Sequence, residues 1–216
     1  MQEKQNRIIT VIGHKGYGKT SLTEALFFLQ DKPTIIADPR WQYNTEQKRR
    51  LFFANVNKFR KYIYNRENYE NLFSFSLECV VKVDNESFIE LAEIVAKMKK
   101  VCFVVDEVDM FFDTRATNKN IMYKIVHYGR HNQIDLITTS RRPANISRNL
   151  TSQTDIFYIS RLREPADKKY IKDIFGLKFV DIVGGLDRFS FLKYEDEENY
   201  CFTKTKEKDI ILLGEC

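Results

Sequence analysis

The chain has 216 residues, of which 43% are hydrophobic and 30% charged, and a formal net charge of +5. That length supports one good α/β core, so a single domain over residues 1–216 is expected, and no apolar run approaches the roughly 18 residues of a membrane span. The start MQEKQNR lacks the apolar stretch of a signal peptide, and the four cysteines (Cys79, Cys102, Cys201 and Cys216) show no CxxC spacing. Zinc is therefore excluded as a clip, and free thiols in a reducing, cytoplasmic setting are expected. The basic excess gives an anionic partner a slight preference, although it also serves solubility.

In chain order, Ile8, Ile9, Val11 and Ile12 predict a buried strand, and a helix is predicted from about Ser21 to near Gln30. Residues 33–37 read as a second strand that Pro39 stops, with Asp38 suited to the turn. Residues 48–75 interleave Lys48, Arg49, Arg50, Lys58, Arg60, Lys61 and Arg66 with Phe52, Phe53, Phe59, Tyr62, Tyr64 and Tyr69. Such a tract can follow a phosphate backbone, or form a helix from about Lys58 to Asn65 with aromatics inward and charges in water. Residues 74–83 predict a strand, and Asp84 or Asn85 caps a helix burying Phe88, Leu91, Ala92, Val95 and Met98. Residues 101–105 form a continuous apolar run, as a strand buried on both faces does. A polar loop (113–119), a helix (120–128) and a strand (134–139) follow. Next come a short helix (146–150), a strand (155–160) and a helix from Pro165 to Gly176. Two strands flanking the acidic turn 195–198 and a last strand at 210–213 complete the chain.

Three groups of residues carry chemistry. Gly13-His14-Lys15-Gly16-Tyr17-Gly18-Lys19-Thr20-Ser21, between a strand and a helix, matches the GxxxxGK[ST] phosphate-binding loop. Its glycines let successive N–H groups face the phosphates, Lys19 reaches the β and γ phosphates, and Thr20 holds Mg²⁺. Asp106 and Glu107 end the buried run 101–105. Asp106 suits the outer-sphere Mg²⁺ ligand of a Walker B segment, and Glu107 suits orienting and deprotonating water. The third group is a bias in cation type: between residues 128 and 163 all six cations are arginine, namely Arg130, Arg141, Arg142, Arg148, Arg161 and Arg163, in a chain with 21 lysines. Bidentate contact to phosphate or carboxylate favours the planar guanidinium, whereas mere solvation is indifferent to the choice.

A strand followed by VVDE, a polar loop, a helix ending in Gly129-Arg130-His131, a strand ending in a Thr/Ser-rich tripeptide and then Arg161-Leu162-Arg163-Glu164-Pro165 resembles the FtsK/HerA group of P-loop ATPases. Within it the chain is most similar to the small viral genome-packaging ATPases, with zonula-occludens-toxin-like phage assembly ATPases next. The resemblance covers about residues 7–176, leaving 177–216 as a C-terminal strand extension. It implies an α/β P-loop three-layer sandwich with a mainly parallel central sheet of the additional-strand, catalytic-Glu type, with residues 134–139 lying between the phosphate-loop strand and the Walker B strand. It further implies ATP and Mg²⁺ as ligands, a pentameric or hexameric homo-oligomeric ring that threads double-stranded DNA, a capsid portal or vertex protein as partner, and an arginine from the neighbouring subunit matched by Arg130. The family places glutamine where this chain has Arg141, so Arg141 brings a charge to the site in cis.

Two other readings remain open from the sequence: a nucleoside or nucleotide kinase with an arginine lid, and an assembly ATPase that extrudes phage. Candidate DNA contacts are Arg115 and Lys119 in the polar loop and Lys58 and Lys61 in the basic tract.

Overall fold

The computed structural model describes residues 6–29, 32–206 and 209–212. Its strands are β1 (Ile8–Ile12), β2 (Thr34–Asp38), β3 (Arg50–Phe53), β4 (Glu78–Lys82), β5 (Cys102–Val105), β6 (Asp135–Ser140), β7 (Ile156–Ile159), β8 (Ser190–Tyr194), β9 (Tyr200–Lys206) and β10 (Asp209–Leu212). The helices are α1 (Lys19–Phe28), α2 (Val56–Tyr64), α3 (Arg66–Ser74), α4 (Asn85–Lys97), α5 (Ile121–Tyr128), α6 (Arg148–Thr151), α7 (Pro165–Phe175) and α8 (Lys178–Gly185).

All the strands join one sheet in the order β10-β9-β8-β7-β1-β6-β5-β2-β4-β3. From β7 to β3 every pairing is parallel, and β8, β9 and β10 add antiparallel ones. β6 thus lies between β1 and β5, as the family resemblance implied. Alternation along the strands divides the core in two. Ile9, Val11, Ile36 and Val104 face Leu22, Leu26 and Phe27 of α1. Ile8, Ile12, Phe103 and Val105 face the layer built from α2, α4, α5, α7 and α8. The central strands β1, β2, β5 and β6 are buried along their whole length, which explains the continuous apolar run of β5, whereas β6 buries Asp135, Thr138, Thr139 and Ser140 as well.

Several expectations change. The stretch 66–74 is helix α3, and the strand following it is shorter than expected, starting at Glu78. Helix α2 buries Val56, Phe59 and Ile63, but Tyr64 points out, 75% exposed. Arg50, counted in the basic tract, is buried on edge strand β3 between Glu24 and Glu78, where it cannot meet a phosphate backbone. Helix α8 has no counterpart in the sequence reading. Asp84 caps α4 through Ser87, and all five apolar residues assigned to that helix's inner face are buried. Cys79 and Cys102 are free and buried, as expected; Cys201 on β9 is disulfide-bonded, so the expectation of free thiols fails there. The ends of the predicted α1 (Gln30) and of the last strand (residue 213) lie outside the described residues. No helix among the described residues is long and apolar enough to cross a membrane.

Candidate active site

In a parallel sheet, ligands gather outside the carboxyl ends of the strands, where neighbouring connections diverge. Here that edge is formed by Ile12, Asp38, Val105, Ser140 and Ile159. The loop from Gly13 to Gly18 leaves β1 and is pinned on both sides: Gly13 N–H donates to Ser140 O (3.1 Å) and His14 N–H to Arg161 O (3.1 Å). Gly13 packs so closely on β7's continuation that an added Cβ would stand 1.7 Å from Ser160 Oγ. Gly18 takes φ 91° at the start of α1, a left-handed conformation open to glycine, and leaves the first N–H groups of the helix facing the loop. Lys15 and Gly16 are exposed at the tip, and Thr20 and Ser21 are half-buried on the first turn of α1.

Lys19 is buried, with Nζ donating to Gly13 O at 2.8 Å and His14 O at 3.3 Å. Burial pushes its ammonium down to about 8, opposed by Glu107 and Asp106, and Arg141 lowers it further. Tyr17 is held from the β7 side, its hydroxyl accepting from Arg163 at 3.1 Å under the same guanidinium's cation–π contact. Burial, aided by Arg163 and Lys19, holds the His14 imidazole below its ordinary value.

At the end of β5, Asp106 is 3% exposed and accepts from Thr139 Oγ1 (2.6 Å) and Gln42 Nε2 (3.3 Å). Burial raises its carboxyl to about 7. Thr139 Oγ1 also accepts from Glu107 N–H (3.0 Å), so one hydroxyl on β6 fixes both acids. Glu107 has φ 52°, a left-handed turn that costs a non-glycine residue about 1–3 kcal/mol. The turn aims its buried carboxylate at Arg141, whose Nε stands 2.5 Å from Oε1. Asp109 accepts from Ser140 Oγ (2.7 Å), tying the same turn to β6. Asp38 takes the turn role read from the sequence, accepting from Arg40 N–H and Tyr43 N–H.

The arginines separate sharply. Arg141 joins the acids, whereas Arg161 and Arg163 flank the loop. The Arg142 guanidinium forms a long exposed pair with Glu164 (3.7 Å), and Arg148 stacks on Tyr170. Arg130 is exposed in the 3-10 turn that precedes β6, beside the amino ends of the strands. The six residues of β6 put it about 20 Å from the loop of its own chain. Arg115 and Lys119 are exposed in the loop above β5, with Arg115 paired to Asp113; Lys58 and Lys61 are exposed on α2, over the β3 side of the sheet. The sequence reading missed Thr139, Gln42 and Ser160. A threonine at the end of a strand beside an acidic pair was the one available signal.

Hard oxygen ligands suit Mg²⁺, which keeps most of its waters and takes one or two protein groups beside phosphates. Thr20 and Asp106 fit: one hydroxyl, and one buried carboxylate whose raised proton affinity a cation would relieve. No cluster of three or more His, Cys, Asp or Glu side chains that could cage a metal is found among the described residues.

The phosphate-loop sequence on β1, the acid pair on β5 and the strand between them define a P-loop α/β fold. The chain has the same fold as B204, the genome-packaging NTPase of Sulfolobus turreted icosahedral virus 2, with TM-score 0.72 and 18% identity over 93% of this chain and 96% of that one. B204 with bound ATP-γ-S superimposes with TM-score 0.70 at 17% identity, over 97% of each chain. The N-terminal domain of zonular occludens toxin from Neisseria meningitidis is more distant, with TM-score 0.55 and 12% identity over 94% and 95% of the two chains. In sequence, 88 residues are 33% identical to the DNA double-strand break repair helicase HerA of Sulfurisphaera tokodaii. They make up 40% of this chain and only 18% of that relative's length. No family model matches the chain.

Proposed function

We propose that this chain hydrolyses ATP and, as a subunit of a homo-oligomeric ring, drives double-stranded DNA, the task of a viral genome-packaging motor. One observation carries the proposal: Glu107 stands immediately after Asp106, locked by β6, within the field of Lys19. A site that merely binds nucleotide, or passes phosphate to another acceptor, has little use for a water-orienting carboxylate there.

In this reading the N–H groups of residues 13–20 and Lys19 hold the triphosphate. Thr20 and Asp106 would hold Mg²⁺, which supplies charge neutralisation at the β and γ oxygens when bound. Glu107 orients a water for in-line attack and takes its proton, while the bond from the γ-phosphorus to the bridging oxygen breaks and ADP and phosphate leave. Arg141 starts paired to Glu107. A γ-phosphate beside Lys19 competes for the same guanidinium, so Arg141 moves to phosphate in cis and frees the carboxylate. Arg130, too far from its own loop, acts on the neighbouring subunit's phosphate. Arg115 and Lys119, at the carboxyl edge with the site, are better placed to pass a hydrolysis event to DNA than Lys58 and Lys61. The names of B204 and HerA support the DNA-motor reading; a portal or vertex protein would be the ring's docking partner.

The test is ATP hydrolysis by purified protein with and without long double-stranded DNA, at low and moderate salt. DNA should raise turnover, and salt should abolish the rise, because phosphate contacts release counterions. Phosphorylation of a nucleoside acceptor with indifference to DNA would overturn the reading. In mixed rings, Arg130→Ala subunits should partly rescue Lys19→Ala subunits; no rescue in verified mixed rings removes Arg130 from a role in trans.

A further inference from the structure

Phe189, between α8 and β8, stands against the phosphate loop from the side opposite the acids. Its backbone is left-handed (φ 64°), a conformation that costs a phenylalanine energy and that the surrounding bonds must enforce. They do: Phe189 N–H donates to Tyr17 O (3.3 Å), and Phe189 O accepts from Thr205 N–H on β9 (2.9 Å). The result is a ring seated on Gly18, whose missing Cβ would lie 2.5 Å from Phe189 Cδ1. Despite that contact Phe189 is 41% exposed. A prop for Gly18 alone would gain more by full burial. The chain instead holds an aromatic face in water at the first turn of α1.

Sheet order says what that face meets. Lys19, Asp106, Glu107 and Arg141 lie on the β6 and β5 side of β1, which is where the γ-phosphate end of a nucleotide must sit. A nucleotide laid along the loop with that end at the acids would turn its nucleoside to the β7 and β8 side, where Phe189 stands. We propose that Phe189 is the platform on which the purine base of the bound nucleoside triphosphate stacks, an assignment that rests on the nucleotide reading above. Phe189 offers a π-face and no hydrogen bond to the base edge, so adenine and guanine are held with similar strength. Aromatic stacking of this kind tolerates base identity and contributes, by alanine substitution, about tenfold in affinity.

The experiment compares ATP with inorganic tripolyphosphate, which has the phosphates and no base, by calorimetric titration in the presence of Mg²⁺. In wild type ATP should bind at least about tenfold more tightly than tripolyphosphate, with GTP within a few-fold of ATP. Phe189→Ala should remove about tenfold from ATP and leave tripolyphosphate unchanged. Should that variant fold poorly, Phe189→Trp keeps a platform: it should retain ATP affinity, and its indole emission should respond to ATP and not to tripolyphosphate. Equal weakening of both ligands by Phe189→Ala would make the ring a structural prop and overturn the inference, as would an indole blind to ATP. If wild type binds neither ligand, the nucleotide reading itself falls; if it binds both equally, only the base platform does.

Discussion

The two sides of β1 handle the same loop by different physics. On the β6 and β5 side, buried charges are cross-bonded: Thr139 holds Asp106 and Glu107, and Arg141 closes on Glu107. On the β7 and β8 side, shape does most of the holding: Ser160 fills the space over Gly13 and Phe189 sits on Gly18, and the charge of Arg163 adds a hydrogen bond to Tyr17. Charged groups in a dry site act strongly but must be paired until needed, while close packing fixes a backbone without committing any charge. The loop is thus packed on one side and faces cross-bonded charges on the other.

The largest effect that would break this contrast is on the charged side. Glu107→Gln should keep ATP binding and lower turnover about a hundredfold or more, the usual worth of a positioned base; turnover near wild type would remove Glu107 from the chemistry. Next is the cost of burying Asp106. Its carboxyl is raised to about 7 from an ordinary value of 3.8, so as pH rises from about 4 to 7 the folded protein keeps a proton that the unfolded chain releases, and stability falls across that window. Asp106→Asn should therefore melt higher than wild type at pH 8 without nucleotide, by on the order of a few kcal/mol, with the gain shrinking toward pH 4.5. A gain that stays constant with pH would deny the burial penalty.

On the packed side, Gly18→Ala forces a left-handed alanine against Phe189 and should destabilise by about 2 kcal/mol in thermal unfolding. Phe189→Ala in the same chain should recover only the contact part, since the backbone strain remains. The smallest effect compares the partners of the ion pair. A double-mutant cycle of Glu107→Gln and Arg141→Gln should give a coupling of about 1 kcal/mol without nucleotide, and less once an ATP analogue is bound. Unchanged coupling would mean that Arg141 does not move to phosphate.

Local chemistry made much of this legible. The GxxxxGK[ST] spacing, the apolar run before Asp106-Glu107 and the inner face of α4 are properties of neighbouring residues, and each stands where the sequence placed it. The arginines were only half legible. Their type marked the region, yet Arg141, Arg148 and Arg163 differ in role because β6, α6 and the β7 end carry them to different neighbours. Arg50 shows the same limit: in sequence it is one more cation in a basic tract, and its burial between Glu24 and Glu78 depends on residues 26 and 28 positions away.

What the sequence determined by itself was the phosphate loop, the acid pair and a parallel α/β core, because glycine geometry and strand-length apolar runs act over a few residues. The tertiary structure alone decided that Thr139 braces both acids from 32 and 33 positions away, that Arg141 grips Glu107, and that Phe189 comes to rest on Gly18. Those meetings depend on strand order and register, which bring distant segments to one sheet edge, and no local pattern encodes which ones will meet.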